Sequence, residues 1–322
     1  MSFENLGDII IVIWLHALLR RKSIVSPIGI FLVFKTKYIG DKMREIDSKL
    51  ITDAVARMCI EANRNLPSDV RSCIECARDC EPWPIAQDIL GKIIENYKIA
   101  EEDEMAICQD TGLACVFIEI GQEVHVKGSI EDAINEGVHR GYSEGYLRKS
   151  CVAEPLGERK NTLDNTPAMI YYDIKPGNEL KITVAPKGFG SENMSRLAML
   201  KVSDGVEGVK NFVLETVELA GPNPCPPIIV GVGIGGTFDK AALLAKKAAI
   251  RPLDERNPKK YYADLEEELL ARANALGIGP QGFGGKTTAL AVNIETMPTH
   301  IAGLPVAVNI NCHAARHMTE VI

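Results

Sequence analysis

Apolar residues recur at a helical interval through residues 43–100. An amphipathic helix places its apolar side chains three to four residues apart, which lines them up on one face. The positions that follow this interval are Ile46, Leu50, Ala54 and Met58. The sequence Pro67-Ser68-Asp69 then predicts the start of a further helix, because proline and small polar residues favour a helix N-terminus. Residues 43–100 are therefore predicted to be a helical segment.

From residue 101 to residue 322, short apolar runs alternate with longer amphipathic stretches, which predicts a mixed α/β body. The runs 116–120 and 124–126 flank Gly121-Gln122 as the two strands of a hairpin would. Further strands are predicted at 180–185, 228–232, 289–294 and 306–310. Helices are predicted at 238–250 and 261–275. The predicted fold class is thus mixed α/β, with a helical segment ahead of the α/β body.

Residues 1–42 differ in composition from the rest of the chain. Apolar runs at 9–19 and 24–34 flank the basic sequence Arg20-Arg21-Lys22. Each run is shorter than the roughly 20 residues that span a bilayer. A signal peptide carries its positive charge before the apolar run, not after it. We expect Met43 to be the natural start and residues 43–322 to form the domain; a membrane tether is the alternative.

The net charge and the number of cysteines limit the classes of function that this chain can have. The net charge of the 322 residues is −7. Residues 1–42 carry six Lys/Arg and three Asp/Glu, or +3, so the remainder carries −10. An acidic body argues against nucleic acid as a partner, because phosphate binding needs clustered basic side chains. Nine cysteines, an odd number in a chain of this size, indicate a reducing, cytoplasmic setting in which some thiols bind metal.

A run of three cysteines resembles the ligand run of a ferredoxin. It is Cys73-x-x-Cys76-x-x-x-Cys80, in the helix predicted to begin after Pro67. Several residues of this helix, two of the cysteines among them, fall on one face, and cysteine is readily buried. The residues of that face are Val70, Cys73, Ile74, Ala77 and Cys80. We expect a buried face here, with a ligand set as the alternative.

A glycine pattern at Gly231-x-Gly233-x-x-Gly236 lies between a predicted strand and a predicted helix, as in a dinucleotide-binding unit. The segment after that helix, residues 251–254, is not an apolar strand ending in an acidic residue. An NAD-type oxidoreductase therefore stays as an alternative, and the glycines indicate that backbone approaches something closely. Gly285-Lys286-Thr287 fails as a phosphate loop because Pro280 occupies a required glycine position.

Seven segments are denser in polar residues, glycine and proline than a packed core requires. They are CQDTG at 108–112, LRKS at 147–150, NTPA at 165–168, APKGFGSEN at 185–193, GPNPCPP at 221–227, GPQGFGGKTTAL at 279–290 and THIAGLPVAVNINCHAARH at 299–317. Three of them contain one cysteine each, Cys108, Cys225 and Cys312. Each of these cysteines has loop-forming neighbours or ends a strand, whereas structural cysteines more often lie within helices and strands.

Together these segments resemble, in fixed order from Met43 to His317, the α part of the iron–sulfur-dependent class I fumarases and the related tartrate dehydratases. The sequence GGTFDKAA at 235–242 and the segment at 279–290 resemble the fumarase branch more closely. The resemblance implies that Cys108, Cys225 and Cys312 bind a 4Fe–4S cluster. It also implies a separate β subunit as partner and a small dicarboxylate as substrate, with reversible hydration of fumarate to L-malate as the reaction.

The resemblance further places substrate contacts on Gln109, Asp110, Arg148, Gly190 and His300. A cluster with three thiolate ligands keeps one iron open, as a catalytic metal requires. Asp110 is close in sequence to Cys108 and is expected to act on the proton, while His300 donates to a carboxylate or shuttles a proton. Arg148 grips a carboxylate through two parallel N–H bonds. Further arginines, a lysine and a catalytic threonine are expected from the β subunit.

Other interpretations of the same residues stay open at the sequence level. Asp110 alone fits a turn or cap, Arg148 a surface ion pair, and His300 a core histidine. The α subunit of an L-tartrate dehydratase is the alternative within the enzyme class. A scaffold or regulatory subunit without catalysis is the alternative outside it.

Overall fold

The computed structural model of the protein describes residues 43–322. Strand β1 (Arg44–Asp47) leads into helices α1 (Ser48–Arg64), α2 (Ser68–Cys80) and α3 (Pro84–Glu102). Asp47 caps α1, because its Oδ1 accepts a hydrogen bond from the amide of Lys49 at 2.9 Å. The helical prediction for this segment is confirmed except at 44–47, which form a strand paired in parallel with β3 (Val124–Lys127). The predicted extension, residues 1–42, lies outside the described residues, and Met43 as the natural start stays a prediction.

The first four-stranded sheet has the order β10-β5-β2-β4. Its strands are β2 (Leu113–Gly121), β4 (Met169–Lys175), β5 (Leu180–Lys187) and β10 (Met318–Val321). Helices α1 and α4 (Ile130–Glu144) bury a shared core against it. Gly137 and Gly141 on α4 allow close helix packing: a Cβ at these positions would lie 2.8 Å from the carbonyl oxygen of Thr52 and 2.7 Å from that of Ala56.

The hairpin predicted around Gly121-Gln122 is wrong, although both strands exist. Strand β2 pairs with β4 and β5, whereas β3 pairs with β1. Most of the nine residues of β2 are buried. The strand therefore lies inside the sheet, with a neighbouring strand on each side. Two strands joined by a short turn usually pair as a hairpin. Here β2 instead pairs with β4 and β5, which are distant in sequence.

The second four-stranded sheet has the order β6-β9-β7-β8. Its strands are β6 (Arg196–Leu200), β7 (Ile228–Gly235), β8 (Ala289–Met297) and β9 (Leu304–Asn311). Helices α6 (Gly205–Ala220) and α8 (Lys260–Ala275) bury one face of it. Helix α7 (Phe238–Ala248) packs small residues against the other face and places Leu243 against the core of the first sheet. The short helix α5 (Phe189–Glu192) follows β5.

Close packing of α7 against β7 accounts for the glycine pattern. A Cβ on Gly231 would lie 2.2 Å from the carbonyl oxygen of Ala245, and one on Gly233 would lie 2.1 Å from that of Ala241. The close approach that the glycines predict is therefore with a helix backbone. Strand β7 also pairs with β8 in parallel and with β9 in antiparallel orientation, unlike the parallel sheet of a dinucleotide-binding unit. The mixed α/β fold class is confirmed.

Helices α2 and α3 pack together and against the second sheet through a third core group, which includes Ile74, Leu90 and Ile229. The predicted buried face of α2 is only partly correct. Val70 and Ile74 are buried, while Cys73 is partly exposed and Cys76 and Cys80 are exposed. Within residues 43–322, the structure contains no helix that is both long enough and apolar enough to cross a membrane.

Candidate active site

The loop Cys108–Gly112 lies at the end of the first sheet, just before β2. Strands β2 and β5 are antiparallel, with Leu113 opposite Lys187, so the loop meets the segment that leaves β5. Gly112 has a φ of 72° and a Cβ there would lie 2.6 Å from the backbone of Lys187. Only glycine fits this position, which explains the glycine of the CQDTG segment.

The Asp110 carboxylate joins this loop to α5. Its Oδ2 accepts a hydrogen bond from the amide of Phe189 at 2.8 Å, and its Oδ1 accepts one from the amide of Gly112 at 3.0 Å. The second bond is the local turn contact that the sequence alone allowed for. The first bond fixes Asp110 to the segment that carries Gly190, which is itself exposed. A Cβ on Gly190 would lie 3.8 Å from the carbonyl oxygen of Asn223, so the Cys225 loop is adjacent.

Strand pairing in the second sheet brings Cys225 and Cys312 together. Cys225 precedes β7 and Cys312 follows β9, and these antiparallel strands pair Ile229 with Asn311. The amide of His313 donates a hydrogen bond to the carbonyl of Cys225 at 3.3 Å. Burial raises the pKa of the Cys225 thiol, and the nearby thiols of Cys312 and Cys108 raise it further. The three predicted ligand cysteines therefore lie in one electrostatic environment.

Arg316 lies beneath this group and is almost fully buried, with 4% of its surface exposed. Its Nη2 donates a hydrogen bond to the backbone carbonyl of Asp110. Its Nε and Nη1 are buried and have no hydrogen-bond partner among residues 43–322. Burial raises the pKa of the Cys312 thiol, while the positive charges of Arg316 and Lys187 act in the opposite direction. Buried N–H groups without partners are costly, so they point to an anionic group that this pocket is built to hold.

Three cysteines beside a buried cation fit an iron–sulfur cluster in their chemistry. No three His, Cys, Asp or Glu side chains within residues 43–322 converge as the ligands of one metal ion would. A cluster takes each thiolate on a different iron atom, so its cysteines need to surround a larger volume. Three soft thiolates beside a buried, partly unpaired cation provide suitable ligands and charge compensation for such an anionic group.

Lys187 and Glu192 hold the glycine-rich segment in place. Lys187 Nζ donates to Ser191 Oγ at 2.8 Å and lies 3.3 Å from Glu192 Oε2. Glu192 also pairs with Lys246 of α7 at 2.6 Å and accepts a hydrogen bond from Asn309 of β9 at 2.8 Å. Burial alone would raise the pKa of Glu192, but the two ammonium groups lower it to about 2. This network joins α5 to β5, α7 and β9.

Arg148 is exposed, and its guanidinium forms no hydrogen bond or ion pair with any residue of 43–322. Its backbone is well fixed, because its carbonyl accepts a hydrogen bond from Thr111 Oγ1 at 2.9 Å. Asn165 of the NTPA segment supports the same stretch: its Oδ1 accepts from the amide of Ser150 at 2.7 Å and its Nδ2 donates to the Gly112 carbonyl at 3.1 Å. An anchored backbone with a guanidinium free to bind is suited to a substrate carboxylate.

Gln109 is exposed, and its Oε1 accepts a hydrogen bond from the Cys108 thiol at 3.4 Å. Gln109, Asp110, Arg148 and Gly190 are thus linked by short backbone and side-chain contacts to the cysteine group. Gln109, Arg148 and Gly190 are open to the surface, whereas Arg316 beside the cysteines is buried.

His300 is not part of this group in the same chain. It is exposed in the turn between β8 and β9, where Thr299 Oγ1 donates to the carbonyl of Gly236 at 2.8 Å. Cys312 follows the other end of β9, and a strand of eight residues at ~3.3 Å per residue separates its ends by roughly 23 Å. His300 therefore lies at the opposite end of β9 from Cys312, and its expected contact with substrate stays a prediction.

Gln281 supports the Cys225 loop and Glu81 supports the loop at 286–287, and sequence reasoning missed both. Gln281 donates to the carbonyl of Pro226 through its amide at 2.8 Å and through its Nε2 at 2.9 Å. Buried Glu81 accepts hydrogen bonds from the amides of Lys286 and Thr287, both at 2.9 Å. The glycine-rich segment around Gln281 could have pointed to a functional loop. Glu81 lies about 200 positions from the loop that it binds, and nothing in its local sequence indicates this contact.

Comparison with known proteins identifies the family of this chain. Residues 52–321 match the family described as "Fumarate hydratase (Fumerase)". The chain is 47% identical, over 83% of its length and 95% of the relative's, to a Methanocaldococcus jannaschii protein named "Putative L(+)-tartrate dehydratase subunit alpha". It is 32% identical to the Escherichia coli K12 L(+)-tartrate dehydratase subunit alpha, over 84% of the chain and 90% of that protein.

This chain belongs to the class I fumarase and tartrate dehydratase family of iron–sulfur hydro-lyases. The family resemblance read from the sequence is confirmed. The two relatives carry the name of an α subunit, and this chain covers nearly their whole length. Membership in a hydro-lyase family also excludes the NAD-type oxidoreductase as the interpretation of the glycine pattern, which close packing of α7 already explains.

Proposed function

We propose that this chain is the α subunit of a 4Fe–4S hydro-lyase that, with a β subunit, adds water reversibly to fumarate to give L-malate. The observation that carries the proposal is the grouping of Cys108, Cys225 and Cys312 beside buried Arg316, whose Nη2 holds the Asp110 loop. The described chain supplies one wall of a dicarboxylate pocket. We expect the β subunit to supply the remaining cations and a threonine. The free state of all nine cysteines supports a cytoplasmic location.

In this proposal Cys108, Cys225 and Cys312 hold the cluster. When bound, a cluster with three thiolate ligands offers an iron with an open position, which acts as a Lewis acid toward a hydroxyl group. Arg148 binds one substrate carboxylate through parallel N–H bonds. Gln109 offers an amide donor beside it. The exposed backbone at Gly190 lets substrate approach closely, because no side chain stands in the way.

Asp110 is the proposed acid–base group of this chain. Each of its oxygens accepts one backbone N–H bond, which fixes the orientation of the carboxylate. A carboxylate has about four lone-pair sites, so acceptor capacity remains for a proton from the carbon next to the second substrate carboxylate. The partner's threonine shares this proton transfer or carries it on the other face of the substrate.

L-tartrate dehydratase is the second candidate function. It is favoured by the names of the relatives, which are tartrate dehydratase α subunits. The fumarate candidate is favoured by the matching family description and by the segments at 235–242 and 279–290. Both reactions add or remove water next to a carboxylate of a four-carbon diacid, so the same α-subunit wall serves either one.

The deciding experiment is anaerobic co-purification with the β subunit, followed by assays with L-malate, fumarate and L-tartrate. We expect iron in the complex and interconversion of malate and fumarate, with no appreciable activity of the cluster-loaded α chain alone. Activity on L-tartrate without activity on malate would select the second candidate. An iron-free complex that binds a nicotinamide cofactor, or hydratase activity that persists in Cys225→Ser, would contradict both candidates.

A further inference from the structure

A second group of thiols lies away from the candidate active site, on a pocket of about 250 Å³ beside the C-terminal half of α2. The opposite wall comes from α8 and from the start of β8. Polar groups on this wall include the Lys286 ammonium, which forms no hydrogen bond or ion pair within residues 43–322. The residues that define this thiol pocket are Cys73, Cys76, Cys80, Asn274, Lys286 and Leu290.

Cys76 and Cys80 are one helical turn apart, and both are exposed. Helix geometry places their Cα atoms about 6.2 Å apart, within the range of about 4.4–6.8 Å that disulfides span. The neighbouring Cys80 thiol is the main cause that raises the pKa of Cys76. Cys80 is the last residue of α2, and Glu81 after it has extended backbone angles. The end of the helix can therefore adjust.

We propose that Cys76 and Cys80 form a thiol–disulfide exchange site for a small anionic disulfide of the glutathione type. The pocket beside them is open to the surface, so one half of such a molecule can lie across it. Lys286 provides a cation for one of its carboxylates. Asn274 has its Oδ1 occupied by the amides of Thr288 and Ala289, which leaves its Nδ2 as a donor for a peptide carbonyl of the ligand.

The exchange takes two steps that conserve atoms and electrons. The Cys80 thiol loses its proton to solvent, and its sulfur attacks one sulfur of the disulfide. That S–S bond breaks, and the other half leaves as a thiolate that takes up a proton. Deprotonated Cys76 then attacks the Cys80 sulfur of the mixed disulfide and releases the second half as a thiol. Two electrons pass from the protein dithiol to the small disulfide, and two small thiols result.

Formation of the protein disulfide has a consequence for the neighbouring loop. Residues four apart on a helix have Cβ atoms about 5–6 Å apart, whereas a disulfide brings Cβ atoms to about 3.5–4.5 Å. The last turn of α2 must therefore move, and Glu81 moves with it. The Glu81 carboxylate accepts hydrogen bonds from the amides of Lys286 and Thr287, both at 2.9 Å, and from the Thr287 hydroxyl at 2.7 Å. We expect oxidation to loosen residues 285–288.

The experiment uses the complex of the full chain with its β subunit, under anaerobic conditions, treated with glutathione disulfide. Peptide mapping by mass spectrometry without reduction should show a Cys76–Cys80 link that reduced glutathione reverses. Cys76→Ser should trap a glutathione adduct on Cys80. Cys73→Ser is the matched control and should form the link at an unchanged rate. Lys286→Gln should slow exchange with glutathione disulfide several-fold but not exchange with neutral hydroxyethyl disulfide.

Two outcomes would overturn the exchange site. One is a link that uses Cys73, and the other is indiscriminate adduct formation on the exposed cysteines without a link. The loop is tested separately by hydrogen exchange, where the amides of 286 and 287 should exchange at least about 10-fold faster in the oxidised complex. Unchanged exchange with the link in place would overturn the effect on Glu81. None of these readouts depends on which substrate the enzyme hydrates.

Discussion

Arg316 donates a hydrogen bond to the backbone carbonyl of Asp110 across 206 residues of sequence. The guanidinium is buried, and two of its nitrogens lack partners within the described part of the chain. One side chain thus holds the loop of the proposed acid–base residue and places a positive charge beside the Cys312 thiol. Arg316 is four positions after Cys312, so this hydrogen bond joins the Cys312 segment to the Asp110 loop.

We expect the Arg316→Gln variant to lose the iron–sulfur cluster while the chain stays folded. Glutamine is shorter and neutral, so the Asp110 loop loses its anchor and the thiolates lose a compensating charge. Iron content and visible absorption of the anaerobic complex should fall severalfold, and the remaining iron should be released faster to a chelator. Arg140→Gln, which removes an exposed pair with Asp53, should leave iron retention unchanged.

Replacement of Cys108, Cys225 or Cys312 by serine should remove iron and hydratase activity together. A hydroxyl is a hard ligand, and softness of the thiolate selects iron–sulfur centres. Cys76→Ser serves as the control, because Cys76 is exposed on α2 and outside the candidate active site. Its iron content and basal turnover should stay near the wild-type values. An intact cluster in Cys225→Ser together with cluster loss in Cys76→Ser would reverse the ligand assignment.

Asp110→Asn should separate chemistry from cluster binding. The amide keeps the size of the side chain, and its oxygen still accepts one backbone N–H bond, so iron content should be retained. Turnover should fall roughly 10²–10⁴-fold if Asp110 is the acid–base group. A smaller loss would mean that the partner's threonine carries most of the proton transfer. Wild-type turnover in this variant would remove Asp110 from the mechanism.

Arg148→Lys should weaken substrate binding more than turnover. Lysine keeps the charge but cannot form two parallel N–H bonds with a carboxylate. Hydrogen bonds to charged groups contribute about 1.5–3 kcal/mol, so the KM for the dicarboxylate should rise roughly 10–150-fold. Steady-state kinetics of the anaerobic complex provide the measurement. Arg57→Lys, at an exposed ion pair with Glu320, should leave KM as it is; a KM rise of equal size there would show a nonspecific effect.

The sequence predicted most elements correctly because they carry strong local signals. Strand β7 is continuously apolar, and α7 and α8 show regular amphipathic spacing. The pairing of β2 failed because strand partners are set by long-range burial. The role of His300 stays a prediction: a full strand separates it from Cys312, so its distance from the cysteines could not be read from the sequence. The short segments that resemble the family were informative because loops carry site residues that packing alone does not require.

Arg316 and Glu81 show what local patterns cannot reveal. Nothing in the sequence shows that Arg316 is buried or that it reaches Asp110. Glu81 follows a helix and has the local context of a surface residue, yet it binds the loop at 286–287. Both residues act through contacts that form only when segments about 200 positions apart meet.

The ion-pair network around Glu192 should make the stability of the chain depend on acidic pH. The folded-state pKa of Glu192 is about 2, below the ordinary value of 4.5. A carboxylate with a depressed pKa contributes stability that is fully present above its unfolded pKa and is lost as pH falls through its folded pKa. The loss therefore lies between about pH 5 and pH 2. The shift corresponds to about 3 kcal/mol at most, since each unit is worth about 1.4 kcal/mol.

Glu192→Gln should be less stable than the wild type at pH 7 and should lose less of its stability on acidification. In this variant the ammonium groups of Lys187 and Lys246 would face a neutral amide. The loss in free energy of unfolding at pH 7 should therefore include the cost of burying these two charges without a partner. Urea unfolding of the cluster-free full chain between pH 7 and pH 3 measures the difference. Glu218→Gln, at an exposed position on α6, is the matched control and should track the wild type. Parallel curves for Glu192→Gln and the wild type across this range would show that the network does not stabilise the fold through the charge of Glu192.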